Sequence, residues 1–424
     1  MRSHREIAAS ARSRRASPAR ALRATALSAI AIALFWAGSF PTGPVPAHAQ
    51  RAAARAFHVR EPIGIRRTEY PVSARVPFPR GVLAAPTQAR LLWNGAEVPA
   101  QFTANATWDD GSVQALDVDF NVSLDPEEDR RFELQYGDGV SPLPFDGRGL
   151  TVAEDAASVT VGSLRFSRSG TPLLASVGYR GENIGAGANG LTITDANGQR
   201  TDLTAATDAR LEVLKAGPLL VTLRYTATIR LADEAGIPVE LLMEIPNSKS
   251  WIKTTAIVTD RTRRLRDIAV ERPYRFGSLP LLWDFGTDSG AYGVFRSDAD
   301  TALLTQTVSS SGPTGWKIEA GPGTRRRAIE TSAGSRGKSA AGWGHLHDAG
   351  SAVAFAVARF GKDPGTYTLL AGADGQATYR FAPSDRLGQY QVVLYEHFVA
   401  TPIQVGAATN PTSMVTPLSV ALER

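Results

Sequence analysis

Leu219-Leu220-Val221-Thr222-Leu223-Arg224-Tyr225-Thr226-Ala227-Thr228-Ile229-Arg230-Leu231 decides the fold. Apolar residues at 219, 221, 223, 225, 227, 229 and 231 alternate with Thr222, Arg224, Thr226, Thr228 and Arg230. A period of two puts one set on a buried face and the other on a wet face, so these 13 residues predict one long strand of a half-buried sheet. Asp233-Glu234-Ala235-Gly236 turns the chain, and Val239, Leu241, Met243 and Ile245 form the return strand. Trp251 to Thr259 reads as a third strand. Ala352–Phe360, Tyr367–Ala371 and Gln391–Val399 read as others.

The same period governs the earlier chain. Val72, Ala74, Val76 and Phe78 alternate with Ser73, Arg75 and Pro77. Leu116, Val118 and Phe120 alternate with Asp117 and Asp119, which predicts a half-exposed strand with the two aspartates in water. Phe132, Leu134 and Tyr136 repeat the pattern. Gly137 to Gly147 is rich in Gly, Pro, Asp and Ser, and marks a boundary. Few windows carry a helical stripe. The expected class is all-β: a small barrel over residues 50–147, then a large antiparallel sandwich over residues 148–424.

The chain has 424 residues and a formal charge of +5. The first 49 residues account for that charge. They hold seven arginines, from Arg2 to Arg23, and one acid, Glu6. A short apolar run follows, Ala24 to Ala37, and the stretch closes on Ala47-His48-Ala49. Basic start, short apolar core and small closing residues are the pattern of a secretory signal peptide. The run falls short of the roughly 20 residues that span a bilayer. Ser13-Arg14-Arg15 leaves the general and twin-arginine export routes both open. Beyond residue 49 there are 39 Lys or Arg against 40 Asp or Glu, a formal charge of −1. The expected product is periplasmic or extracellular, with no membrane span and no nucleic-acid partner. Zero cysteines exclude a disulfide scaffold and a zinc–thiolate site.

Several ordered motifs lie between residues 71 and 136. They are Pro71-Val72, Val76-Pro77-Phe78-Pro79-Arg80-Gly81, Val98-Pro99-Ala100-Gln101-Phe102, Trp108-Asp109-Asp110-Gly111-Ser112-Val113 and Val118-Asp119-Phe120. This stretch resembles the N-terminal RIFT barrel of exo-rhamnogalacturonan-lyase-like (YetA-like) proteins. The later part is similar to that family's central β-sandwich through Gly342-Trp343-Gly344-His345. The resemblance implies a barrel followed by a sandwich, in a polysaccharide context. Lyase members of the family carry a large helical toroid after the sandwich. No such helical stretch precedes Arg424, so the resemblance implies the architecture rather than the lyase activity.

Four histidines follow the leader: His58, His345, His347 and His397. On a strand, Trp343, His345 and His347 share one face, with Asp348 on the other. They suit a sugar platform or two metal ligands; a solvated imidazole pair fits the same spacing. Spacing places no third metal ligand, so neither a metal nor a cofactor is expected. His397 and Glu396 are neighbours on a strand and point to opposite faces. A uronate lyase needs a base, for which His345, His347, His397 and Tyr395 are candidates. It also needs a cation. Arg263, Arg264 and Arg266, or Arg325, Arg326 and Arg327, are candidates for carboxylate binding, although short arginine clusters also occur as solvated surface. Trp316 and Trp343 suit either sugar stacking or core packing, and Trp251 and Trp283 suit the core.

Three functions remain open: an exported protein that binds or presents polysaccharide, a polysaccharide lyase or other carbohydrate-active enzyme, and an envelope module with a protein partner.

Overall fold

The computed structural model describes residues 53–423, except 148, 169–173, 180–181, 184–189, 207, 232–235, 278, 288–289, 335–338 and 401–410. The leader-type segment 1–49, the Asp233–Ala235 turn and most of the glycine-rich run at 185–190 lie outside the described residues.

The protein is all-β. The opening stretch forms Leu220–Arg230 and pairs along its whole length with Gly236–Pro246, placing Val221 opposite Ile245 and Tyr225 opposite Leu241. The two strands belong to a nine-stranded antiparallel sheet. It runs from Arg210–Lys215 through this pair, Trp251–Thr259, Gln389–Ala400, Ser351–Val357, Trp343–His347 and Leu281–Phe285 to Ala291–Phe295. An eight-stranded sheet faces it. Its strands in order are Arg200–Asp202, Gly190–Asp195, Leu265–Pro273, Gln376–Pro383, Gly365–Gly372, Asp300–Ser309, Gly312–Pro322 and Arg327–Thr331. Val221, Leu223, Tyr225, Ile229, Trp283, Phe285, Ile268, Leu304 and Tyr379 share the core between them. This is sheet-on-sheet packing, with alternate residues of each strand turned inward.

A second core lies on the outer face of the nine-stranded sheet. A three-stranded sheet, Arg67–Pro77, Val113–Leu124 and Ala100–Thr107, and a five-stranded sheet supply Phe57, Val72, Val118, Phe120 and Phe132. The large sheet supplies Trp251, Ala354, Ala356 and Tyr395, and the C-terminal segment supplies Met414 and Leu418. The five-stranded sheet contains Ala53–Arg60, and the C-terminal strand Ser419–Leu422 pairs with it. Ser351–Val357 is buried at all seven positions. Val353, Phe355 and Val357 enter the sandwich core, while Ala354 and Ala356 enter the second core. Small side chains let the covering layer approach closely.

Asp117 and Asp119 are not on a wet face. They are 6% and 2% exposed. The reason is a long-range partner: Lys215, far along the chain, reaches Asp119 at 2.7 Å and Asp117 at 3.3 Å. Arg75 adds a bond to Asp117 at 2.8 Å, and Ser73 Oγ donates to Asp119. Buried charge is tolerated when it is paired and hydrogen-bonded in this way.

Candidate functional site

Strand register builds a row of side chains across the outer face of the nine-stranded sheet. Trp251 lies opposite His397, His397 opposite Ala354, Ala354 opposite His345, His345 opposite Asp284, and Asp284 opposite Tyr292. Directly paired residues of an antiparallel ladder project to the same side. The adjoining row on that face is Glu244, Lys253, Tyr395, Ala356 and Trp343. On the other flank His347 lies opposite Ala352 and Leu282.

The chemistry gathers at the His345 end. Asp284 Oδ1 takes hydrogen bonds from the His345 backbone N–H at 3.0 Å and meets His345 Nδ1 at 2.7 Å. Both contacts fix the imidazole. Its other nitrogen, Nε2, is buried and has no partner among the described residues, and the same holds for Trp343 Nε1. The two rings lie edge to face with centroids 5.5 Å apart. Gly286 lies under the indole, where an added Cβ would sit 2.4 Å from it. Tyr292, at the end of the row, is 79% exposed. His347 is half-buried, and burial holds it below the ordinary histidine range, partly offset by Asp284. Asp348 lies off this face. It accepts backbone N–H bonds from Gly277, Gly350 and Ser351, and so shapes a turn.

His397 sits at the covered end of the row, edge to face with Trp251 at 6.2 Å. Burial, then the charges of Lys249 and His345, push its pKa down to about 4. The unfolded chain takes up this proton near 6.5 and the folded chain near 4, so folding stability falls as pH drops through that window. The loss is on the order of 3 kcal/mol at its limit. We expect His397→Phe to flatten this part of the pH profile. Urea denaturation of both proteins at pH 7 and pH 4.5 checks it; parallel losses would refute it. Glu396, on the opposite face, accepts a 2.8 Å bond from Tyr274 and pairs with Arg272 at 3.1 Å.

The arginine clusters do not join the row. Arg263, exposed, and Arg264 follow the far end of Trp251–Thr259, about 26 Å of strand rise from Trp251. Arg325 and Arg326 precede the edge strand of the other sheet, where Arg326 bonds Gly323 O at 2.6 Å and steadies the turn. Of the two roles open to Trp316, the structure places it in the core. It is 3% exposed in the sandwich core and has no open ring face. Among the described residues, no three His, Asp or Glu side chains converge on a metal site.

A pocket of about 190 Å3 opens at the other end of the same face. Tyr70, Trp251 and Tyr395 form its aromatic side, and Ser73, Asp119, Asn121, Glu244 and Lys253 its polar side. Pro417, Leu418 and Val420 close it from the C-terminal segment. Glu244 pairs with Lys253 at 2.5 Å. Burial raises Asp119 above the ordinary range against the opposing charge of Lys215. Burial also acts upward on Asp117, but the bonds from Arg75 and Lys215 outweigh it and hold that carboxyl low.

No family model matches the chain, and no curated protein matches it. Solved structures do. An α-mannosidase from Enterococcus faecalis V583 aligns over 88% of this chain and 46% of its own, with a TM-score of 0.52 and 13% identity. A glycosyl hydrolase family 38 protein from Enterococcus faecalis aligns over 88% and 47%, with a TM-score of 0.53 and 12% identity. The likeness shows the fold. The chain spans less than half the length of either protein.

Proposed function

We propose that this chain is an exported carbohydrate-binding protein whose ligand lies on the outer face of the nine-stranded sheet, around Trp343, His345, His347, Asp284 and Tyr292. The observation that carries this reading is the pair of buried, unpartnered ring nitrogens of Trp343 and His345 beside an exposed tyrosine. A buried polar atom without a partner costs free energy. Sugar hydroxyls both donate and accept, so they can meet an indole N–H and an imidazole nitrogen together. Tyr292 adds a flat apolar surface for a sugar ring. A fold shared with an α-mannosidase supports the carbohydrate setting. The RIFT-type resemblance at residues 71–136 supports relation to exo-rhamnogalacturonan-lyase-like proteins and a polysaccharide ligand. The arginine-rich start supports export.

The test is retention on immobilised neutral and acidic polysaccharides. We expect the chain without residues 1–49 to be retarded on at least one. We expect Tyr292→Ala and His345→Ala each to weaken retention at least tenfold. Tyr292→Ala should leave the melting temperature unchanged, because the side chain is largely in solvent. No retention on any glycan would remove the reading.

The His345–Asp284 pair favours a second reading, an enzyme. A carboxylate that orients an imidazole with a free second nitrogen is the arrangement of a general base. Neither arginine cluster reaches this base, so a lyase would need its cation from elsewhere. Absorbance of unsaturated uronates during incubation with pectic substrates tests it, and product formation undiminished in Asp284→Asn would end it.

A further inference from the structure

We propose that the pocket between the three-stranded sheet and the nine-stranded sheet is a second binding site, built for one neutral hexose-sized sugar. It is separate from the Trp343–His345 face. The buried strand Ser351–Val357, with Ala354 and Ala356 under Met414, lies between them.

Volume sets the size of the ligand. A space of about 190 Å3 is somewhat larger than the roughly 150 Å3 cavity that takes one benzene ring, so one six-membered ring fits. The walls set its chemistry. Tyr70 and Trp251 meet edge to face at 5.6 Å, and Trp251 and Tyr395 at 6.2 Å, so one side is a fixed aromatic corner. The other side carries Ser73, Asp119, Asn121, Glu244 and Lys253. An apolar ring face against clustered donors and acceptors is what a pyranose presents in return.

Tyr395 supplies an accessible contact point in the pocket. The residue is 5% exposed and lines the pocket, and its hydroxyl opens there to solvent rather than being buried without a partner. A sugar hydroxyl can take the place of the water that meets it. The neighbouring polar groups are already engaged: Glu244 with Lys253, Asp119 with Lys215 and Ser73, and Asn121 with Asn247 and Ser248. They are held in place rather than free to turn, which preorganises the polar wall.

Charge sets the selectivity. Asp119 and Glu244 are each already paired with an ammonium, Lys215 and Lys253, so neither cation is left to meet an acidic ligand. A uronate would add a third carboxylate at close range. The pocket therefore selects neutral sugars over acidic ones.

The experiment is titration calorimetry of the chain without residues 1–49 against D-glucose, D-galactose, D-mannose and D-galacturonate. We expect saturable binding of at least one neutral hexose at millimolar concentration, with galacturonate at least tenfold weaker than galactose. Tyr395→Phe keeps the ring and removes only the hydroxyl. We expect it to weaken hexose binding roughly three- to tenfold, the scale of one hydrogen bond, with an unchanged melting temperature. Tyr292→Ala should leave hexose binding intact even where it abolishes retention on polysaccharide. That separates this site from the open face. No binding of any of the three neutral sugars, equal binding by Tyr395→Phe, or preference for galacturonate would each overturn the proposal.

Discussion

Arg67→Met is expected to lower the unfolding free energy by about 3–5 kcal/mol, the range for removing one partner of a buried ion pair. Arg67 and Glu61 are 2% and 0% exposed. Arg67 donates to Glu61 Oε1 from Nε at 3.1 Å and from Nη2 at 3.0 Å. Glu61 Oε2 takes the backbone N–H groups of Ile63, Gly64, Ile65 and Glu127. Those four donors soften the loss at Glu61, but the arginine does more. Its Nη1 donates to Ser413 O at 2.7 Å and its Nη2 to Thr416 O at 2.8 Å. The guanidinium thus pins the C-terminal segment to the strand that begins at Arg67. Without it, a buried carboxylate loses its cation and two carbonyls lose a donor.

The measurement is the urea midpoint, with limited proteolysis of residues 411–423 as a second readout. A double variant, Glu61→Leu with Arg67→Met, should recover part of the loss, because it removes the stranded charge. The tail should stay protease-sensitive in both. An unfolding free energy within about 0.5 kcal/mol of wild type for Arg67→Met would refute the clamp. Pro417, Leu418 and Val420 close the hexose pocket, so the same variant should weaken hexose binding.

How far the sequence carries depends on the range of the interaction. Leu219 to Leu231 is legible because its signal is local. Each side chain's face follows from its parity, and the strand and its return partner appear as read. Asp117 and Asp119 have the same local pattern and the opposite fate. Parity correctly groups the two together; nothing within ten residues shows that Lys215 and Arg75 will bury them. Ser351–Val357 is a milder case. Its alternation of alanine with Val and Phe suits a strand, but only the second core explains why the alanine face is buried too.

The site divides the same way. The shared face of Trp343, His345 and His347 follows from spacing. Asp284, 61 residues away, was hidden behind the core pattern of Leu281, Trp283 and Phe285. Its only signal was being the outward acid on a strand of inward apolars. Lys253, Glu244 and Tyr70 gave no signal at all, since each looks like ordinary strand polarity or core. Trp316 and Trp251 are both buried, as a core reading allows, but which core each fills is invisible locally. One fills the sandwich core and the other lines the seam.

Trp251→Ala is expected to cost about 3–5 kcal/mol and to abolish hexose binding, because one indole both fills the second core and lines the pocket. It is 6% exposed. Its ring contacts Tyr70, Tyr395 and His397 edge to face, and the Lys249 ammonium lies 5.9 Å from its centre. Truncation deletes the aromatic corner and joins the vacated space to the existing pocket. Water entering there limits the cavity term but cannot restore the ring contacts. It also reaches His397, whose low pKa rests first on burial, so that pKa should climb from about 4 towards 6.5. Trp316→Ala is the control. It should lose comparable stability from the sandwich core, while the folded fraction keeps hexose affinity and a depressed His397. NMR titration of His397 in both variants, beside their urea midpoints, separates the outcomes. An unmoved His397 in Trp251→Ala would mean that the indole does not shield the seam.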